Sequence, residues 1–314
     1  MKQDLHKPVM LSEVLLYLGL DAPLHTQAKV TTAQSIDMSS SFSVKTVIDA
    51  TVGAGGYSRE ICGTGAKVLG IEIDPAMAEI AKLSLKESCP SFKLIVGNFA
   101  NIESIAKIEG FEAVWGIVFD LGVASPQLIS LTRGFSFKNP DALLDMRLDP
   151  ENQGVSASDL LNALDKSSLM KLFSQTCQFH ESKRLAVRII EERILKPFET
   201  VGDFIEATKG IFKKRGIVNP ATRPFLALRI AVNSELENLQ VALTDSAKLL
   251  KPGGRIVVVS FHSGEDQIVK KTFLQFVKLG LGRVLTKKPI VASRAEIEIN
   301  PRARSAKLRA FEKN

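Results

Sequence analysis

The sequence predicts an α/β protein, a mostly parallel sheet interrupted by an inserted, mainly helical domain, and three observations carry that prediction. Short apolar runs alternate with helix-compatible segments through the first third of the chain. From about Arg133 to Gly216 the strand pattern stops and only helical spacings remain. After that block a helix, a strand and a terminal extended segment resume the first pattern. Strands separated by helices at short spacing imply right-handed βαβ units. An insertion explains this order better than two domains in tandem. Residues 1–132 and 217–314 are therefore assigned to the sheet domain and 133–216 to the insertion.

The elements follow in order. Val47–Thr51 reads as a buried strand running into the turn Gly53-Ala54-Gly55-Gly56, and Tyr57–Cys62 begins a helix. Lys67–Ile73 is a second strand, and Pro75–Leu85 a helix with proline in its first turn. Phe92–Val96 and Ala113–Phe119 complete the first strands, while the Ser/Thr-rich residues 21–45 read as a loop. In the insertion, Ser156 with Asp159 three residues on makes a helix start, followed by Leu160, Leu161, Leu164, Met170 and Phe173. A second helix spans about Lys183–Leu195, and Thr200 begins a third with Phe204, Ile205, Ile211 and Phe212. Pro224 precedes one long amphipathic helix through Phe225, Leu228, Val232, Leu236, Leu239 and Leu243. Leu250–Gly254 stops it and Arg255–Ser260 is a strand. Extended segments near Ile297 and Lys307–Phe311 flank Asn300-Pro301 and predict a closing hairpin.

Composition bounds the class. The 314 residues are 45 % hydrophobic and 24 % charged, an ordinary globular profile. No apolar run approaches the roughly 20 residues of a membrane-spanning helix, and MKQDLHKPVM lacks the layout of a secretory signal. Cys62, Cys89 and Cys177 are odd in number and scattered, so neither a disulfide framework nor a zinc site is expected. A reducing compartment fits, the cytoplasm or, in a eukaryotic host, an organellar matrix. The formal charge is +7, and basic residues concentrate between Arg283 and Lys313. That stretch is either a solvated surface or a phosphate-binding face.

Three ligands compete for the glycine turn. A phosphate-gripping loop needs a Lys-Ser/Thr pair after the glycines, and none is present. A dinucleotide fingerprint needs glycine where Ser58 stands. S-adenosylmethionine needs bare backbone amides at the turn and an acid ending the second strand. Glu72 suits that role, with Asp74 as rival on the same face of an extended chain. LKPGGRIVVVS looks like the fifth-strand entry of class I methyltransferases, whose last strand runs antiparallel. A turn serving only strand–helix packing stays open as the alternative.

A longer stretch is more specific. DLGVASPQLISLTRGFSFKNPDALLDMRLD (Asp120–Asp149), HKPVML at His6, PATRPFLALRIAVNSEL at Pro220, SFHSGEDQIVK at Ser260 and NPRARSAKLR at Asn300 lie along the one chain. Together they resemble the bacterial small-subunit ribosomal RNA methyltransferases that act on the exocyclic N4 of a cytidine in the decoding centre. The resemblance covers nearly the whole chain, in the right order. It implies a class I, Rossmann-like methyltransferase domain with an inserted helical domain for RNA recognition, and S-adenosylmethionine as methyl donor. It places the donor against Gly55, Gly56, Tyr57, Glu72, Phe99, Asp120 and Gln127. The partner it implies is small-subunit rRNA within an assembled or nearly assembled subunit, with no membrane and a homodimer as one possible assembly.

The chain also departs from that family. Tyr57 and Glu72 stand where the family has His and Asp. Ala124, Ile129, Ala142-Leu143 and Gly264–Gln267 differ, and a tyrosine-led acidic motif is reduced to Phe179-His180-Glu181-Ser182.

The N4 lone pair is delocalised into the ring, so methylation needs one N–H held by an acceptor. Asp120 is the first candidate and His262 the second. Carbon-5 methylation would need a thiolate, usually in a Pro-Cys pair, and no cysteine here follows a proline. Arg133, Arg147, Arg223, Arg302 and Arg304 are candidate phosphate contacts. The alternatives are an RNA-binding assembly factor without activity and, more remotely, a dehydrogenase.

Overall fold

The computed structural model describes residues 8–20, 44–130, 132–213 and 219–314. His6 and the expected domain boundary at 216–217 lie outside the described residues. Two compact units are present, one reaching Gly122 and resuming at Asn238, the other comprising Val123–Glu237.

The first unit contains α1 (Leu11–Leu18), β1 (Thr46–Asp49), α2 (Gly56–Gly63), β2 (Lys67–Glu72), α3 (Pro75–Leu85), β3 (Lys93–Val96), α4 (Ile102–Ile108) and β4 (Val114–Asp120). The second contains α5 (Ser125–Ile129), α6 (Ala157–Ala163), α7 (Lys166–Phe173), α8 (Phe179–Leu195), α9 (Val201–Thr208) and α10 (Thr222–Asn233). Helix α11 (Glu235–Leu249) leads back to the first unit, which ends with β5 (Leu250–Ser260), α12 (Ser263–Lys278), β6 (Gly282–Val284), β7 (Ile290–Val291), α13 (Arg294–Ile299) and β8 (Lys307–Lys313).

The strand order is β3-β2-β1-β4-β5-β8-β6, with β7 also on β8. Strands β1 to β5 pair in parallel, and β8 runs antiparallel to β5. This is the class I methyltransferase sheet. Successive side chains on a strand point to opposite faces. Ile48, Phe119 and Val258 enter one core with Leu239, Leu243 and Phe273. Their neighbours Val47, Val118 and Val257 enter the opposite core with Leu15, Leu18 and Ile61. A sheet covered on both faces explains the uninterrupted apolar runs of the sequence. Asp74 caps α3, accepting from the Ala76 N–H at 3.0 Å, with Pro75 at the first helical position.

The closing hairpin is corrected. Residues around Ile297 form α13, capped by Ser293, whose Oγ accepts from the Glu296 N–H at 3.1 Å. The partners of β8 are β5, β6 and β7 instead. The absence of a disulfide is also overturned. Cys62 in α2 and Cys89 beyond α3 are joined as a disulfide, packed beside Val52, Ala81 and Leu85. Their separation of 27 positions hid a pair that the fold makes adjacent.

In the helical unit, Ser156 is a reciprocal cap with Asp159, as their spacing predicts, and Thr200, the expected start of the third helix, is one with Asp203. Phe173, Phe204 and Phe225 pack in its core, with Phe204 at 6.0 Å from Phe173 and 5.2 Å from Phe225. The unit is wider than 133–216. Val123 and Leu128 pack on its core, and α10 supplies Phe225 and Leu228 to it. The single long helix expected after Pro224 is broken at Ser234, which adopts φ 48°. The buried Asn233 explains the break. Its amide donates to the Met146 and Arg229 carbonyls and accepts from the Leu148 N–H, so its side chain is tied to a loop rather than to a helix face.

Candidate active site

In an open parallel sheet, ligands bind beyond the carboxyl ends of the strands where the strand order reverses. Here that point lies between β1 and β4. The register puts Asp49 opposite Gly70 of β2 and Val118 of β4, so Glu72 and Asp120 each lie two residues beyond those partners. Three carboxylates therefore share one edge of the sheet with the glycine turn.

The turn is built for close backbone approach. Gly53 and Gly55 have φ of 54° and 87°, a region side chains rarely adopt. A Cβ at Gly55 would stand 2.9 Å from Leu85 Cδ1. Glycine at 55 is thus required by the fold as well as by any ligand. Gly56 opens α2, with its neighbour Tyr57 buried and donating its hydroxyl to the Val9 carbonyl. The phenol is committed to that contact, and only the backbone of Tyr57 belongs to the turn.

Glu72 and Asp74 are engaged differently. Its Oε2 accepts the Gly53 N–H at 2.7 Å and its Oε1 the Asp74 N–H at 2.9 Å, while Asp74 is spent as a helix cap. Burial pushes the Glu72 pKa up to about 7, against these hydrogen bonds. Asp49 accepts from Ser58 Oγ at 2.7 Å and the Thr51 N–H at 3.2 Å, and burial pushes its pKa to about 6. Burial, reinforced by the charges of Asp49 and Glu265, holds Asp120 well above the usual carboxylate range. Its Oδ1 is buried, with no hydrogen-bond partner among the described residues. An uncompensated buried acid costs folding free energy unless a ligand uses it. Phe99 lies in the short turn after β3, half-buried and edge-on to Phe119 at 5.8 Å.

His262 is the cap of α12. Its Nδ1 accepts the Glu265 N–H at 3.4 Å, and Nε2 lies 3.1 Å from Glu265 Oε1 without a directed hydrogen bond. Glu265 Oε2 also accepts the Phe261 and His262 N–H groups at 2.8 and 3.1 Å. Sequence reasoning missed both Asp49 and Glu265. The first was visible as the strand-ending acid before the turn; the second was visible as an acid three residues after a cap.

The chain matches the profile of the MraW methylase family over residues 3–314. The chain belongs to that family. It is 42 % identical over 274 residues to the ribosomal RNA small subunit methyltransferase H of Methylacidiphilum infernorum, spanning 83 % of this chain and 86 % of that one. The corresponding protein of Geotalea uraniireducens is 39 % identical over 287 residues, spanning 85 % and 91 %.

The other predicted site residues have partners of their own. Gln127 lies in the helical unit, where its Oε1 accepts the Ala124 N–H at 2.7 Å and closes its own helix. Arg133 donates to the carbonyls of Arg147 and Leu148, both at 2.8 Å. Arg147 grips Asp145 through two nitrogens and reaches the Gln153 carbonyl at 2.7 Å. Arg223 makes a two-pronged pair with the buried Glu181 at 2.8 and 2.7 Å. These three arginines hold the helical unit together. Arg302 and Arg304 sit in a tight helical turn, Pro301–Ser305, rather than in an extended chain. Three residues per turn sends positions two apart in different directions, and Arg302 is half-buried where Arg304 is exposed. The two guanidiniums therefore do not share one face.

Proposed function

We propose that this MraW methylase transfers a methyl group from S-adenosylmethionine to the exocyclic N4 of a cytidine in the decoding centre of small-subunit rRNA. The observation that carries this is the cluster of acids at the strand ends beside the glycine turn, Asp49 and Glu72 buried and Asp120 half-buried with its Oδ1 inside. Their described hydrogen bonds come from backbone amides and a serine hydroxyl rather than from lysine or arginine. Such a cluster suits a cationic ligand.

The residues present fit the donor. Gly55, Gly56 and the backbone of Tyr57 would face it, Glu72 would accept from its ribose hydroxyls, and the half-buried Phe99 would offer a ring to its adenine. S-adenosylmethionine supplies an electrophilic methyl on a positively charged sulfur. Asp120, whose Oδ1 has no hydrogen-bond partner among the described residues, would hold an N4–H of the cytosine and take its proton as the N–C bond forms and the methyl–sulfur bond breaks, the donor leaving as S-adenosylhomocysteine. A neighbouring positive charge lowers the pKa of Asp120 and so keeps it ionised as an acceptor. Glu265 fixes the ring of His262, which orients the base or relays the proton. The helical unit is assigned to RNA recognition, the assembled or nearly assembled small subunit is the proposed substrate, and the cytoplasm is the proposed compartment. A homodimer is not required by this chemistry. A purely architectural role in subunit assembly is disfavoured by a chain that keeps these acids at its strand ends.

The test is to incubate the protein with small subunits from a strain lacking the enzyme and labelled S-adenosylmethionine, then to identify nucleosides by mass spectrometry. N4-methylcytidine is expected, without covalent trapping by 5-fluorocytidine RNA. Formation of 5-methylcytidine, or no product at all, refutes the proposal.

A further inference from the structure

Helix α8 carries a pattern that the active site does not use. Phe179, Lys183, Val187 and Glu191 recur at four-residue steps and form one stripe along it. His180, Arg184 and Arg188 form the adjacent stripe. With Ile211, these side chains line a surface groove of about 600 Å³. Cations dominate that lining, and Glu191 is the one acid in it. The nearby Glu181 is buried and already paired with Arg223.

The cations are not equivalent. Arg184 donates to the Gly210 carbonyl at 3.1 Å, and Arg188 to the Lys209 and Ala207 carbonyls at 2.5 and 3.4 Å. Arg188 also lies 3.9 Å from Glu192. These contacts hold two guanidiniums in place at the end of α9. Lys183 is exposed and has no hydrogen-bond or ion-pair partner among the described residues. Phe179, at the start of the helix, is 70 % exposed. Single-stranded nucleic acid suits a large exposed ring beside a row of cations, since it offers phosphates to the cations and a base face to the ring.

We propose that this groove binds a single-stranded segment of the substrate rRNA, with backbone phosphates on Lys183, Arg184 and Arg188 and a base stacked on Phe179. The inference rests on the reading of the chain as an rRNA methyltransferase and names where its substrate is held. An acidic peptide would satisfy the cations but would leave the ring without a partner.

The test uses Lys183→Glu and Phe179→Ala, with Phe179→Trp as the conservative partner, in the full chain. Arg184 and Arg188 are left intact because they brace α9. Binding to undermethylated small subunits and to protein-free rRNA is measured across a salt series, with circular dichroism and donor affinity as controls. Lys183→Glu should weaken both interactions about tenfold and flatten the log–log salt slope by roughly 0.7. Phe179→Ala should weaken binding about tenfold with the slope unchanged, and Phe179→Trp should restore it, as base stacking requires. Wild-type affinity and slope in folded variants would overturn the proposal. A defect seen with intact subunits but not with protein-free rRNA would mean a ribosomal protein is the partner, and would overturn it equally. If the wild type binds RNA but yields no N4-methylcytidine, the functional reading fails while the binding data still decide the groove.

Discussion

Replacing Glu72 by Gln tests whether burial or hydrogen bonding sets the protonation state of the donor-site acid. In the folded chain its pKa stands at about 7 against an ordinary value of 4.5, and the side chain is 8 % exposed, so solvent screening takes little away. A folded-state pKa raised above the unfolded one means stability that is complete below about 4.5 and is lost as pH rises toward about 7. At 1.36 kcal/mol per pKa unit the loss is roughly 3 kcal/mol. Glutamine cannot ionise and escapes it. It can, however, accept only through its single oxygen, so either the Gly53 or the Asp74 N–H loses a partner, a pH-independent cost of about 1–3 kcal/mol. The variant should therefore be less stable than wild type at pH 5 and should recover about 2–3 kcal/mol relative to it by pH 8. Urea unfolding without donor reads this directly. The only tryptophan, Trp115, lies in β4 and reports on the sheet unit. Asp49 titrates in the same window in both proteins and largely cancels in the difference. Parallel pH profiles would refute the argument that burial, rather than its hydrogen bonds, governs Glu72.

Asp120→Asn should weaken donor binding, since its charge beside the sulfonium is lost, and should lose transfer by a further roughly 100-fold or more at saturating donor, as loss of a proton acceptor does; single-turnover methylation of subunits checks this, and a near-normal rate removes Asp120 from the chemistry. Arg223→Ala strands the buried Glu181 and should cost the helical unit about 2–4 kcal/mol in urea unfolding, with Arg223→Lys recovering little of the two-pronged geometry. Ser293→Ala should cost about 1 kcal/mol by removing the cap of α13, and an unchanged midpoint would count against that helix. Arg304→Ala should flatten the salt dependence of RNA binding while Arg302→Ala instead lowers thermal stability, because only Arg304 is exposed; equal effects on binding would restore a shared face.

The sheet was legible because strands covered on both sides must be apolar throughout. Runs such as Val47-Ile48 and Ile256-Val257-Val258 admit little else once helices separate them. The caps at Ser156 and Thr200 were legible for a local reason, since donor and acceptor lie three residues apart. The same signal stood at Ser293 and Glu296, but Ile297 and the following Asn-Pro suggested a turn between strands, and the cap decided the matter. What stayed hidden was set by partners far along the chain. Ser234 breaks a strongly periodic helix because Asn233 answers to Met146 and Leu148. Arg223 and Glu181 are 42 positions apart, and nothing local marks either as the other's partner. The glycine turn and Glu72 were legible as a site; the buried Oδ1 of Asp120, which gives it chemical meaning, required the fold.

The insertion also governs how the protein is made. Strand β4 ends at Asp120, and its parallel partner β5 begins only at Leu250. During synthesis at about 5–20 residues per second, the edge of β4 therefore waits on the order of ten seconds for its neighbour. Through that interval four parallel strands carry an apolar edge with unpaired amides and carbonyls, the kind of surface that invites pairing with another chain. The helical unit, whose sequence emerges complete before β5, can fold in the meantime. Strand β8, made later still, then closes the other side of β5. A truncated product ending anywhere in the insertion would keep the first strands of the donor site with that edge open, and belongs to the material a cell must clear.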